Sequence, residues 1–118
     1  MSEHRAHPRI DVAVRGELEH EGDTIAAETQ NLSTGGVALK VRQAVPDGAV
    51  VTVQLFLTQD GFEDPDEAPL VTKAAVRWTA EGDGGGHVLG LQFAKLADAK
   101  RAQLDRFLSI VGKAAGAA

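Results

Sequence analysis

Two clusters of side chains in this 118-residue chain have the types and spacing to bind a ligand. The first lies in "EHRAHPRID", where Arg5 and Arg9 stand four apart ahead of any strand-like pattern, with His4 just before them. A guanidinium is planar, always charged and carries its donors in a fork. It can grip the O6 and N7 edge of a guanine, clasp phosphate oxygens or stack on a base face. The second cluster is "NLSTGG". Asn31 brings an amide with both donors and an acceptor, Ser33 brings a hydroxyl, and Gly35 and Gly36 let a ligand come close to the backbone. Each cluster also has a plainer explanation. The arginines suit a solvated tail, and the turn suits a hairpin in which Asn31 and Ser33 bond their own backbone while the glycines take positive φ.

Composition narrows the chemistry. The chain has 12 Lys and Arg against 17 Asp and Glu, a formal net charge of −5. Phosphate contacts dominate affinity for nucleic-acid polymers, so an acidic domain binds them poorly, and an anionic ligand must be met by a local basic patch. With no cysteine there is no disulfide framework, zinc ribbon or thiol nucleophile, which fits a cytoplasmic setting. No apolar run approaches the roughly 18 residues of a membrane span, and no signal peptide is expected from the polar N-terminus. Ser2, Ser33 and Ser109 sit in no nucleophile elbow, and His4 with His7 makes half a metal site at most. The reading is non-enzymatic, with no resident metal or cofactor.

The elements that must position the two clusters read mainly as strands. Ile10, Val12, Val14 and Leu18 alternate with polar residues, with Gly16 in the apolar series. Thr24–Leu32 is a weaker strand pattern, followed by Val37–Val41, Ala49–Gln59, Leu70–Ala80 and His87–Phe93. The turns between them are "EHEGD", "STGG", "VPDG" and "EGDGGG". Six short strands joined in this way predict a small antiparallel barrel. From Leu96 the period changes. Leu104, Phe107, Leu108 and Val111 fall at helical spacing, with Asp98 as the predicted N-cap and Gly112 as the stop. The expected organisation is a flexible arm over 1–9, the barrel and helix over 10–112, and a frayed tail over 113–118. Phe56, Trp78 and Phe93 lie in strand patterns that suit a core, which leaves no aromatic platform of the kind single-strand-binding barrels use. The segment 59–69 carries five carboxylates and no base, and reads as a solvated loop.

Taken together, the two clusters resemble the motifs of the PilZ domain, a family of bacterial cyclic di-GMP receptors. The family carries R-x-x-x-R before its first strand, here "RAHPR", and [DN]-x-S-x-x-G at a later turn, here "NLSTGG", in this order. The resemblance extends to "AVRWTAEGDGGGHVLGLQF" (Ala75–Phe93) and "RAQLDRFL" (Arg101–Leu108), and so covers roughly residues 4 to 110. It implies a six-stranded antiparallel β-barrel plus a C-terminal α-helix, and non-enzymatic binding of cyclic di-GMP. Arg5 and Arg9 would contact guanine and phosphate groups. Asn31 and Ser33 would bond ligand polar groups, mainly at a guanine, and Gly36 would leave room. Many members have an arginine where His4 stands, and it tends to accompany a stacked ligand dimer, so His4 bears on stoichiometry. The implied protein is a stand-alone receptor whose arm changes on binding and signals through a partner protein. The alternative is a ligand-independent PilZ-like adaptor.

Overall fold

A computed structural model describes residues 10–57 and 69–115, with Asp83 and residues 110–115 as backbone only. The alternating segments form strands β1 (Ile10–Asp11), β2 (Arg15–His20), β3 (Asp23–Leu32), β4 (Gly36–Val41), β5 (Val50–Leu55), β6 (Leu70–Glu81) and β7 (His87–Phe93). They are followed by one α-helix, α1 (Asp98–Ala115). All pairings are antiparallel, and the barrel order is β3-β2-β5-β6-β7-β4 with β4 returning to pair with β3. Closure pairs every barrel strand on both sides. The six-stranded barrel and C-terminal helix are as expected, and the short β1 is an additional strand on the end of β3.

Inward positions of the period-two pattern fill the barrel. Leu18, Leu32, Leu39, Val51, Val53, Leu55, Leu70, Val76 and Leu89 are fully buried. The helix adds Leu104, Phe107 and Leu108 to the same core, and Lys100 Nζ donates to the Val71 carbonyl at 2.6 Å, tying α1 to β6.

The first strand is split, and Thr29 is the reason. Arg15 pairs with Glu28 while Asp11 pairs with Asn31, so three residues on one side face two on the other. Thr29, with 0% of its surface exposed, fills the irregularity. Its hydroxyl accepts from Val14 N at 2.8 Å and donates to the Val12 carbonyl. The β2–β3 turn is a two-residue one at Glu21 and Gly22, with φ of 51° and 86°. Two positive φ values mark the type I′ geometry that matches the twist of paired strands.

Two helix signals behave differently from expectation. Asp98 is the first helical residue and not the cap, since Arg101 N already donates to the Ala97 carbonyl at 2.9 Å. The helix also runs past Gly112 to Ala115. A glycine within a helix costs about 1 kcal/mol relative to alanine, which weakens a helix without ending it. Residues 116–118, the acidic segment up to residue 68, and the arm with His4, Arg5 and Arg9 lie outside the described residues. Among the described residues no helix is long and apolar enough to cross a membrane.

Candidate functional site

The "NLSTGG" turn sits where β3 ends and β4 begins. Thr29 pairs with Leu39 but Asn31 pairs with Ala38, so Gln30 is an extra, bulged residue. A bulge reverses which face the following residues present. Thr29 and Leu32 are therefore both buried, and Asn31 stays half-buried, opposite Asp11 on one side and Ala38 on the other. The Asn31 amide has no hydrogen-bond partner among the described residues.

Ser33 is the opposite case. It is 5% exposed, and its hydroxyl accepts from Gly35 N at 3.1 Å and from Gly36 N at 3.2 Å. It lies 3.4 Å from the Gly36 carbonyl, to which it donates, and Ser33 N donates to the same carbonyl at 2.9 Å. The hydroxyl is the staple of its own turn, so the plainer explanation of the turn holds for Ser33 and not for Asn31. The glycines also serve a different need from the one expected. Positive φ occurs at Gly22, Gly48, Gly84 and Gly85, and at neither Gly35 nor Gly36. A Cβ on Gly36 would lie 2.2 Å from the Leu91 carbonyl oxygen. Gly36 is what lets β4 approach β7, and Gly35 offers its carbonyl to Phe93 N at 2.9 Å.

Beside this turn runs a groove of about 560 Å³, within the ordinary range of small-molecule sites. Ser33, Thr34, Gly35 and Gly36 form one side. Arg77, Trp78 and the segment from Gly90 to Phe93 form the floor. Ala94 to Leu96, with Asp98 and Arg101 of α1, close the far side. Asn31 does not line it.

The floor depends on a second bulge. Val76 pairs with Leu91 and Trp78 with Gly90, so Arg77 is the extra residue. Trp78 thereby leaves the inward series and is 39% exposed, which overturns its expected place in the core. Phe93 is buried as expected, and Phe56 is half-buried. The indole lies on Gly90, where an added Cβ would come within 2.0 Å of Trp78 Cε2 and 2.1 Å of Nε1. Arg77 Nε donates to Gln92 Oε1 at 2.7 Å. Arg101 makes a loose pair with Asp105, 4.0 Å apart and well exposed. Arg77, Lys95 and Arg101 against Asp98 give this acidic chain the local basic patch that an anion requires. The sequence reading missed these groove residues. The available signal was Gly90 between two inward leucines, a gap on the outer face that only a neighbouring ring could cover. Among the described residues no group of His, Cys, Asp or Glu could hold a metal ion.

The family model for the PilZ domain matches residues 3–109. This chain belongs to the PilZ domain family. Among solved structures, the chain is similar to the PilZ domain with c-di-GMP of YcgR from Escherichia coli, at 17% identity and a TM-score of 0.76, covering 96% of this chain and 95% of that one. It is similar to the inhibitor of motility MotI/DgrA of Bacillus subtilis at 17% identity and a TM-score of 0.74, covering 90% of this chain and 49% of that one. The third is the MrkH–c-di-GMP complex of K. pneumonia, at 13% identity and a TM-score of 0.75, covering 98% and 55%. At these identities the likeness is one of fold, and the PilZ chain spans about half the length of MotI and MrkH. No curated protein sequence matches it.

Proposed function

We propose that this PilZ domain is a receptor for cyclic di-GMP, bound where its N-terminal arm meets the "NLSTGG" turn. The observation that carries the reading is the pairing of Ile10 with Leu32, the residue before Ser33. Arg9 is bonded directly to Ile10, and Arg5 is within about 18 Å of it, since a chain reaches at most ~3.6 Å per residue. Covalent continuity therefore keeps both guanidinium groups of "RAHPR" within reach of the turn, and both motifs of the family are present in full. The structures of YcgR and MrkH named above were solved with this ligand, which supports the same ligand class here.

In this reading Arg5 and Arg9 clasp guanine and phosphate groups, and the Asn31 amide, which has no partner among the described residues, bonds a guanine edge. Ser33, Gly35 and Gly36 act chiefly by holding the turn open in the right shape. His4 replaces a permanent fork with a ring that can stack, and so bears on how many ligand molecules are held. The domain is a non-enzymatic cytoplasmic receptor with no cofactor beyond its ligand. Arm closure costs ordering entropy on binding and changes a surface that a partner protein reads. The test is calorimetry with cyclic di-GMP on the wild type and on Arg5→Ala and Arg9→Ala. Saturable heat lost in both variants, with unchanged melting of the free protein, is the expected result. No heat with the wild type would leave the ligand-independent adaptor as the better reading.

A further inference from the structure

The receptor reading needs the arm to start at the right place on the barrel, and that place is offset. Arg15 pairs with Glu28, so a continuous ladder would set Asp11 against Leu32. The observed pairs are Ile10 with Leu32 and Asp11 with Asn31, one residue out of that register. The difference matters to the arm. A slip of one residue carries the root of the arm about 3.4 Å along β3 and turns successive side chains to the opposite face.

Thr29 is what holds the offset. Its N–H donates to the Val14 carbonyl at 2.9 Å. Its hydroxyl accepts from Val14 N at 2.8 Å and donates to the Val12 carbonyl. One side chain thus satisfies the backbone at both ends of the 12–14 segment, where no strand pairing does so. The site is fully buried, so water does not take over when the hydroxyl is removed. Little else fixes β1. It has two residues of ladder on β3, and Ile10 and Val12 are only partly buried against the core. A hydroxyl at an inward barrel position is an unfavourable choice for the core itself, and it is explained by the chain it holds.

We propose that Thr29 is the positioning residue of the ligand-binding arm: its hydroxyl sets the register of β1 on β3 and so places the root of the "RAHPR" segment beside Ser33, without touching the ligand. This rests on the receptor reading and deepens it, since Thr29 lies outside both family motifs and acts through the arginines.

The experiment combines amide exchange of the ligand-free protein with calorimetry using cyclic di-GMP. It compares the wild type with Thr29→Val, with Thr29→Ser, and with Val53→Ala, a truncation of the fully buried core in β5. Ser33 N is turned to Gly36, so by alternation Leu32 N is turned to β1 and reports the offset ladder. In Thr29→Val, exchange at Leu32 should accelerate more than exchange at Val53. Affinity should fall about ten- to hundredfold, the scale on which misplacing a group by about an ångström acts. Thr29→Ser keeps the hydroxyl and should bind almost as the wild type does. Val53→Ala loosens the core away from the arm, so it should melt lower yet bind as the wild type does. Wild-type affinity in Thr29→Val, or an equal loss in Val53→Ala, overturns the proposal and leaves the receptor reading standing. No heat with the wild type overturns the receptor reading and the arm's role with it. If Thr29→Val does not fold, an unprotected Leu32 amide in the wild type, or a Thr29→Ser chain that folds without binding, overturns the proposal.

Discussion

Replacing Ser33 by alanine separates turn building from ligand contact. The hydroxyl accepts from two backbone amides, at 3.1 and 3.2 Å, and each such bond contributes about 0.5–1.5 kcal/mol net. Gly35 and Gly36 are half-buried, so water partly replaces the lost acceptor and the lower half of the range applies. A loss of about 1–2 kcal/mol in the free protein is expected, which lowers its melting point by several degrees. Urea unfolding of the free protein reads the loss as a shifted midpoint at constant slope. Amide exchange at Gly35 and Gly36 should accelerate, and Ser33→Thr, which keeps the hydroxyl, should recover most of the stability. Calorimetry then shows a smaller drop in affinity for cyclic di-GMP, because the loosened turn must be reordered on binding. Undiminished stability together with lost affinity would refute this reasoning, and would make the hydroxyl a direct ligand donor.

Two other substitutions test the irregularities that shape the site. Thr29→Val keeps the volume but leaves Val14 N–H buried with no acceptor, so a loss of about 1–3 kcal/mol is expected in urea unfolding; an unchanged midpoint would mean that the bond contributes nothing. Gly90→Ala forces a Cβ into the indole, so it should destabilise by about 1–3 kcal/mol as overpacking does. It should also shift the Trp78 emission to the red as the ring lifts; an unaltered spectrum would show that the ring does not rest there.

Most of the barrel is legible because period two is a direct consequence of strand geometry, and the inward leucines and valines of β2, β4, β5 and β7 follow it without a break. The helix is legible for the same reason, through Leu104, Phe107 and Leu108. Its ends are less so. Asp98 and Gly112 are only weak local signals, and the packing of the helix on the barrel outweighs them. Sequence leaves the role of Ser33 open between ligand contact and turn geometry, because both uses ask for a hydroxyl with glycines two and three residues on.

What sequence periodicity cannot carry is a change of phase, and the candidate site is built on two of them. The bulge at Gln30 turns Asn31 outward while keeping Leu32 in the core. The bulge at Arg77 turns Trp78 outward and aims the guanidinium at Gln92. Without the second bulge, Trp78 would have continued the series of Ala74 and Val76 into the barrel, as the sequence pattern alone implies. An extra residue in a strand sacrifices ladder pairing, so it is stable only where the exposed groups find other partners. At the Arg77 bulge the displaced side chains find local contacts: Gln92 holds the guanidinium and Gly90 seats the ring. The same two shifts thus explain why a regular pattern reads the fold well and reads the groove poorly. They also explain how a chain with net charge −5 presents a cationic, aromatic-floored cleft beside its "NLSTGG" turn. A continuous ladder through Val76 and Trp78 would have buried the ring and left that cleft without its floor.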